Sequence, residues 1–369
     1  MDGTALTVVA AAIFLWGAVS ARLERADLTA PIVFTLVGAA LGGLGLVSAG
    51  SAPEHLKPLV EITLVWVLFS DAARVRVHDL RRDLGAVLRL LGLGLPLTVL
   101  AGWGLALWLF PVLGVWLALL VGAALAPTDA ALGVPVVTNT AVPSRVRRLI
   151  TVESGLNDGI VTPVVMIAIA GAAADEGVPG AIGLGSALAD LAVGVVVGVA
   201  VGFTGGWLLG LARRRGWAAE DFTAVAVPIV VDRMDGALLL YGLLSLTLVR
   251  MVPVALALLG SAFGRTTAMF IGWFGPRGLA SLVFALLALE ELGSRADDAV
   301  AVIAVTVFLS VLAHGISAAP LAARYGRGAA ATGPETGGPV ADLPVRGLPR
   351  PRAGARGDGT GPAQASREL

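Results

Sequence analysis

The stretch Arg148–Pro163, RLITVESGLNDGIVTP, opens a run of apolar residues long enough to cross a bilayer, yet it sets Glu153, Ser154, Asn157 and Asp158 inside that run. A carboxylate at membrane depth costs about 2.5–3.5 kcal/mol or more, so such groups persist where they serve a site or a pathway. Read as a helix, the stretch puts Glu153 and Asn157 four residues apart on one face, and Ser154 and Asp158 four apart on the neighbouring face. All four then look into one cavity. The alternative is an interfacial loop over 151–159, with Gly155 and Gly159 as turn residues. That leaves only the run from Ile160 to Ala173, short of the roughly 17–25 residues of a span. The polar cluster has to enter the membrane for this helix to cross.

The rest of the chain agrees with a membrane solvent. Of its 369 residues 57% are hydrophobic and 14% charged, and the mean hydropathy is +0.87, which excludes an ordinary soluble domain and implies an all-α polytopic membrane protein. The formal net charge is zero and the arginines lie in short clusters, so no nucleic-acid partner is indicated. Without cysteine there is no disulfide or thiolate metal site. His55, His78 and His314 all lie near predicted span ends, which argues against a histidine metal centre, and no cofactor is expected.

The first apolar run, Ala5 to Ser20, follows MDGT rather than the basic residues of a secretory signal, and reads as a retained span. Further runs near span length occupy 29–48, 57–71, 85–110, 112–132, 149–172 and 181–211. Beyond Arg215 the pattern shortens to a crossing from about Trp217, or a re-entrant piece, and then resumes at 236–259, 266–290 and 298–320. The loops carrying Arg76 and Arg81, then Arg145, Arg147 and Arg148, then Arg213 to Arg215, alternate with loops that hold no Lys or Arg. The positive-inside rule therefore puts the N-terminus outside and the C-terminal end in the cytoplasm of a multi-pass cell-membrane protein. From Gly326 onward Gly, Pro, Ala and Arg dominate, the composition of a disordered tail. The expected division is 1–215 for a first transmembrane repeat, 216–324 for a shortened second one, and 325–369 for the tail.

Three other places break membrane rules. In Ala126-Pro127-Thr128-Asp129 the proline interrupts a helix and leaves carbonyls that lipid cannot satisfy but a cavity or cation can. An ordinary helix end with an interfacial Asp129 is the competing reading. In residues 272–278, GWFGPRG, three glycines and a proline argue for a discontinuous helix that holds Arg277 at membrane depth, where it needs a carboxylate or backbone carbonyls; Glu153 is the obvious candidate. Asp71, after Ser70, either faces the same cavity or caps its span. Two Pro-interrupted spans in opposite halves are the pattern of inverted repeats crossing at the midplane. Asp158 and Asn157 beside them complete an all-oxygen site suited to a small hard cation. Proton and cation then compete for one carboxylate, which with alternating access amounts to exchange.

LAPTDAALGVPVV, VPSRVRRLITVESGLNDG, LVRMVPVALALLG and FIGWFGPRGLASLVFALLALEE follow one another in the order of the NhaP-type monovalent cation:proton antiporters, relatives of the animal sodium/proton exchangers, and the chain resembles that family over much of Leu56 to His314. The resemblance implies that Asp158 binds cation or proton, with Asn157 its neighbour in an Asn-Asp pair of the electroneutral type. It implies that Thr128 and Asp129 belong to the unwound crossing segment, that Ser154 contributes an oxygen, and that Glu153 pairs with Arg277. Na+ or K+ would be held at Asp158, Asp129, Thr128 and Ser154, in a homodimer embedded in the bilayer. The chain departs from the family between Arg215 and Leu238, where about three full spans are replaced by one short span at most. A transport-inactive remnant is therefore one alternative. A cation channel would need a polar stripe along several spans, and an intramembrane hydrolase would use an Asp129–Asp158 dyad or Ser154 without a histidine to serve it.

Overall fold

The computed structural model describes residues 30–43, 83–129, 134–175, 235–261 and 263–331, with isolated helical positions between 11 and 20 and between 185 and 204. Asp71, His55 and His78, the spans expected at 57–71 and from Trp217, and nearly all of the tail lie outside these residues. Among the described residues every regular element is helical. α1 spans Ala30–Gly43, α2 Leu84–Leu109, α3 Gly114–Ala124, α4 Val134–Val137 and α5 Ser144–Asp175. α6 spans Gly236–Ala257, α7 Arg265–Trp273, α8 Leu279–Leu292 and α9 Asp297–Ala331. α2, α5 and α6 are long and apolar enough to cross a bilayer, as is the continuous apolar stretch from Leu279 to Gly328. Gly293 divides that stretch: its φ of 58° is a left-handed conformation open to glycine at little cost, and it turns the chain between α8 and α9.

One order of elements occurs twice. α2 contains a π-helical turn at Leu90–Gly94, α3 is followed by a break that is non-helical over 125–129, α4 comes after it, and α5 is long. α6 likewise contains a π-helical turn at Ser245–Val249, α7 and α8 flank a break, and α9 is long. The two sets run in opposite directions. Arg89, in the first turns of α2, donates from Nη1 to Leu259 O just past the end of α6, at 2.6 Å. Arg145, at the start of α5, stacks on Phe263 just before α7 (4.3 Å from ring centroid), and Thr267 of α7 shares a hydrogen bond with Tyr325 near the end of α9. The starts of α2 and α5 thus share one end of the bundle with the ends of α6 and α9, as inverted repeats require.

The core is apolar, but so is much of the surface, and a set of polar groups is buried. Leu88, Leu100, Trp108, Met166, Leu243, Leu248, Met269 and Ile316 are exposed, whereas Thr98, Glu153, Asn157, Arg250, Arg277, Thr306, Ser310 and His314 are buried. Lipid favours that sorting, because an apolar side chain loses nothing against hydrocarbon and a polar one must find its partner inside the protein. Two expectations are corrected here. α9 continues past Gly326 to Ala331, where a disordered tail was expected, because Tyr325 stacks on Phe270 at 4.0 Å and Gly326 sits against Ala141. His314 is consequently fully buried inside α9 rather than near a span end.

Helix association in a membrane relies on close backbone approach at small residues. α2 and α3 form a tight hairpin in which a methyl on Gly122 would lie 2.5 Å from Trp103 N and 2.8 Å from Val99 O, both backbone atoms of α2. Trp103 closes the hairpin by donating from Nε1 to Val115 O at 3.0 Å. Overpacking costs about 1–3 kcal/mol, occasionally more, where the backbone has to move. Gly122→Leu is expected to lower the thermal midpoint of the detergent-purified protein, whereas Gly104→Leu, at a position with open space around it, leaves it unchanged.

Candidate functional site

α3 ends because Pro127 has no N–H to continue it and the residue before a proline is driven from helical geometry. The chain then runs non-helically through Thr128 and Asp129. α7 ends at Trp273, and Phe274 to Gly278 are non-helical before α8 begins at Leu279. The two breaks cross and satisfy one another. The Asp129 N–H donates to Pro276 O at 2.7 Å, and Asp129 Oδ2 accepts from the Leu279 N–H at 3.2 Å, capping the first turn of α8. In return Arg277 Nη1 donates to Ala126 O at 2.5 Å and to Pro127 O at 3.0 Å, placing a cation at the C-terminal end of α3. Glycines permit this approach: a Cβ on Gly278 would overlap the Asp129 carboxylate, and one on Gly275 would lie 2.5 Å from Arg250 Nε.

α5 lays its polar face along this crossing. Asn157 Nδ2 donates to Thr128 Oγ1 at 2.8 Å, and the Thr128 and Ser154 hydroxyls share a hydrogen bond of 2.9 Å. Thr128 and Ser154 are 2% exposed, Asn157 0% and Asp158 5%, so the cluster is closed off from solvent. Asn157 Oδ1 is buried with no hydrogen-bond partner among the described residues, leaving one amide oxygen available in the cluster. Asp158 follows on the same helix, and Thr162 Oγ1 bonds its backbone carbonyl at 2.8 Å. The structure therefore brings Thr128, Ser154 and Asn157 into one network, puts Asp158 next to it in the chain, and engages Asp129 in the crossing itself.

Glu153 does not pair with Arg277. Its Oε1 accepts from Arg250 Nη2 of α6, and both side chains are 1% exposed. Arg277 is drawn instead to the carbonyls that Pro127 leaves free, so its charge is met by backbone dipoles while Glu153 turns to α6. Arg250 was not singled out from the sequence although it interrupts the apolar run 236–259, the same signal that marked Arg277. Ser310 and His314 of α9 join the crossing as well. Ser310 Oγ accepts from the Arg277 backbone N–H at 2.7 Å, and His314 Nε2 lies 2.8 Å from Trp273 O.

A second acidic group lies outside the crossing. Asp83 Oδ1 accepts from Arg145 Nε at 2.7 Å and Asp83 Oδ2 from Arg148 Nη2 at 3.1 Å, which ties the start of α2 to the start of α5. This fixes the helix that carries the polar cluster at its basic end.

The sequence profile of the sodium/hydrogen exchanger transmembrane family matches residues 8–231 and 222–324, two segments that meet in the stretch that is short of spans. Among solved structures, the sodium proton antiporter MjNhaP1 from Methanocaldococcus jannaschii at pH 8 aligns with 87% of this chain and 98% of its own, at 20% identity and a TM-score of 0.60. An electron-microscopy structure of the same antiporter aligns with 91% of this chain and 100% of its own, at 19% identity and a TM-score of 0.62. At that level of identity the likeness is one of fold.

Removing one partner of the buried Glu153–Arg250 pair strands a charge, which costs about 3–5 kcal/mol, whereas replacing both by apolar residues of similar volume is often near neutral. Glu153→Leu and Arg250→Met are each expected to lower thermal stability strongly in detergent. The double variant should recover most of the loss; a double variant as damaged as the sum of the two would contradict the pairing.

Proposed function

The chain belongs to the sodium/hydrogen exchanger family, and we propose that it exchanges Na+ or K+ for H+ across the cell membrane by alternating access, with Asp158 as the carboxylate that both cargoes share. The observation that carries this reading is the pair of crossed helix breaks lying against the buried Thr128–Ser154–Asn157 network, one residue before Asp158. A small hard cation stripped of water needs oxygen ligands. The Thr128 and Ser154 hydroxyls, Asn157 Oδ1 and the Asp158 carboxylate supply oxygens of three chemical kinds.

Charge bookkeeping favours electroneutral exchange. Glu153 and Arg250 neutralise each other, Arg277 is engaged by the carbonyls of Ala126 and Pro127, and Asp129 caps α8. Asp158, next in the chain to the polar network, is the carboxylate to which we assign the changing occupancy. A bound cation and a bound proton each neutralise it, so they exclude one another and the loaded site carries the same charge in both directions. The elements that meet at this site, α3, α5, α6, α7, α8 and α9, are all present among the described residues, which supports a working exchanger over a transport-inactive remnant. Arg89, Arg145 and Arg148 gather at one end of the helices, which supports the cytoplasmic assignment of that end, with the N-terminus outside and the tail inside. A homodimer is the assembly we expect.

In proteoliposomes loaded with a pH-sensitive dye, a sodium pulse is expected to drive proton movement in the native chain and none in Asp158→Ala. Thr128→Val removes the hydroxyl that Asn157 and Ser154 bond, and is expected to raise the half-saturating sodium concentration roughly tenfold, the equivalent of one buried hydrogen bond. A sodium response that survives Asp158→Ala would overturn the assignment of the site. No response from correctly inserted native protein would favour the remnant.

A further inference from the structure

The break between α7 and α8 has the carbonyl of Trp273 at one end, where it also accepts from the Gly275 N–H at 2.8 Å, and the N–H of Arg277 at the other, and one short face of α9 holds both. Ser310 and His314 lie four residues apart on α9 and are fully buried. Ser310 Oγ accepts from the Arg277 N–H at 2.7 Å and lies 3.2 Å from His314 Nδ1; His314 Nε2 lies 2.8 Å from Trp273 O. His314 Nδ1 also lies 2.9 Å from the Ser310 backbone carbonyl. The clasp uses the tautomer with the proton on Nε2, which donates to Trp273 O while Nδ1 faces Ser310. With the proton on Nδ1 the ring would donate to Ser310 O instead and set a lone pair against Trp273 O. The Trp273 ring lies over the imidazole at 5.2 Å and its Nε1 donates to Ser317 Oγ at 3.0 Å, which anchors the same end of the break to α9 once more.

From this geometry we propose that Ser310 and His314 form a clasp that fixes both ends of the second helix break, and that they act as positioning residues for the exchange site by holding Arg277 on the carbonyls of Ala126 and Pro127. Arg277 is the joint: its backbone N–H is held by α9 and its guanidinium holds the first break. Thr128 follows Pro127 directly, so a slack clasp is transmitted through Arg277 to the first break and from there to the hydroxyl that Asn157 and Ser154 share. The repeat architecture gives the clasp a counterpart: Ser154 and Asn157 of α5 hold Thr128 at the first break as Ser310 and His314 of α9 hold the second. The positioning role rests on the exchange reading above; the clasp itself does not.

The test measures amide hydrogen exchange by mass spectrometry on the full chain in nanodiscs, together with half-saturating sodium in the proteoliposome assay. Ser310→Ala, which removes a single oxygen, and His314→Leu are expected to speed exchange of the segment 274–281 by about tenfold, while 95–109 in α2 stays at its native rate. Half-saturating sodium is expected to rise severalfold with a smaller change in maximal rate. His314→Gln can offer an amide N–H where Nε2 stood and is expected to restore both readouts in large part. Unchanged exchange of 274–281 in Ser310→Ala and His314→Leu overturns the clasp, as does a His314→Gln variant indistinguishable from His314→Leu. A loosened break with native sodium dependence overturns the positioning role. A native chain without sodium-driven proton movement sinks the exchange reading, and the clasp is then decided by amide exchange alone.

Discussion

Two broken helices in a membrane are each unstable, and in this protein each is the remedy for the other. A helix end in hydrocarbon leaves N–H and C=O groups that cost several kcal/mol apiece if unmet. The end of α3 exposes the carbonyls of Ala126 and Pro127, and Arg277 meets both; the start of α8 exposes the Leu279 N–H, and Asp129 meets it. The backbone bond from Asp129 to Pro276 joins the two segments directly. The position of the crossing is thereby fixed by unsatisfied backbone, and α5 and α9 pack where they can reach it. Chemistry collects at the same point because the breaks already demand charged and polar partners there.

Buried charges are then distributed so that little net charge stays uncompensated at the centre. Glu153 is met by Arg250, an ion pair closed off from water, and Arg277 by backbone dipoles. A buried pair adds little to stability over an apolar pair, and its value lies in fixing which helices meet. Here it locks α5 to α6, one element from each repeat, next to the polar network. The repeats are alike in backbone and unlike in side chains: the face that carries Glu153, Ser154, Asn157 and Asp158 on α5 is answered on α9 by Ser310 and His314.

Much of this was legible because lipid penalises every departure from an apolar helix, so that each departure stands out. The runs read at 85–110, 149–172 and 236–259 became Leu84–Leu109, Ser144–Asp175 and Gly236–Ala257, and the breaks marked by Pro127 and Pro276 lie where the prolines put them. Pairing was less legible. Glu153 and Arg250 are 97 residues apart in the chain, and which arginine reaches Glu153 depends on how α5, α6 and the crossing pack. Arg250 itself was visible by the rule that found Arg277, an arginine inside an apolar run. His314 was misjudged for a different reason. The run from 298 was expected to stop at 320, which put His314 near its end, whereas contacts of Tyr325 and Gly326 carry α9 on to Ala331 and leave His314 deep inside.

The central claim is that proton and cation occupy one carboxylate in turn. Calorimetric titration of sodium into the detergent-purified chain, in two buffers of different ionisation enthalpy, counts the protons released on binding. At a pH where the free site is protonated, about one proton is expected to be released per sodium bound, with apparent affinity falling as the pH is lowered, and no binding heat in Asp158→Ala. Sodium binding without proton release at the pH where lowering it further weakens binding, an affinity that does not change with pH, or binding that persists in Asp158→Ala would contradict the claim.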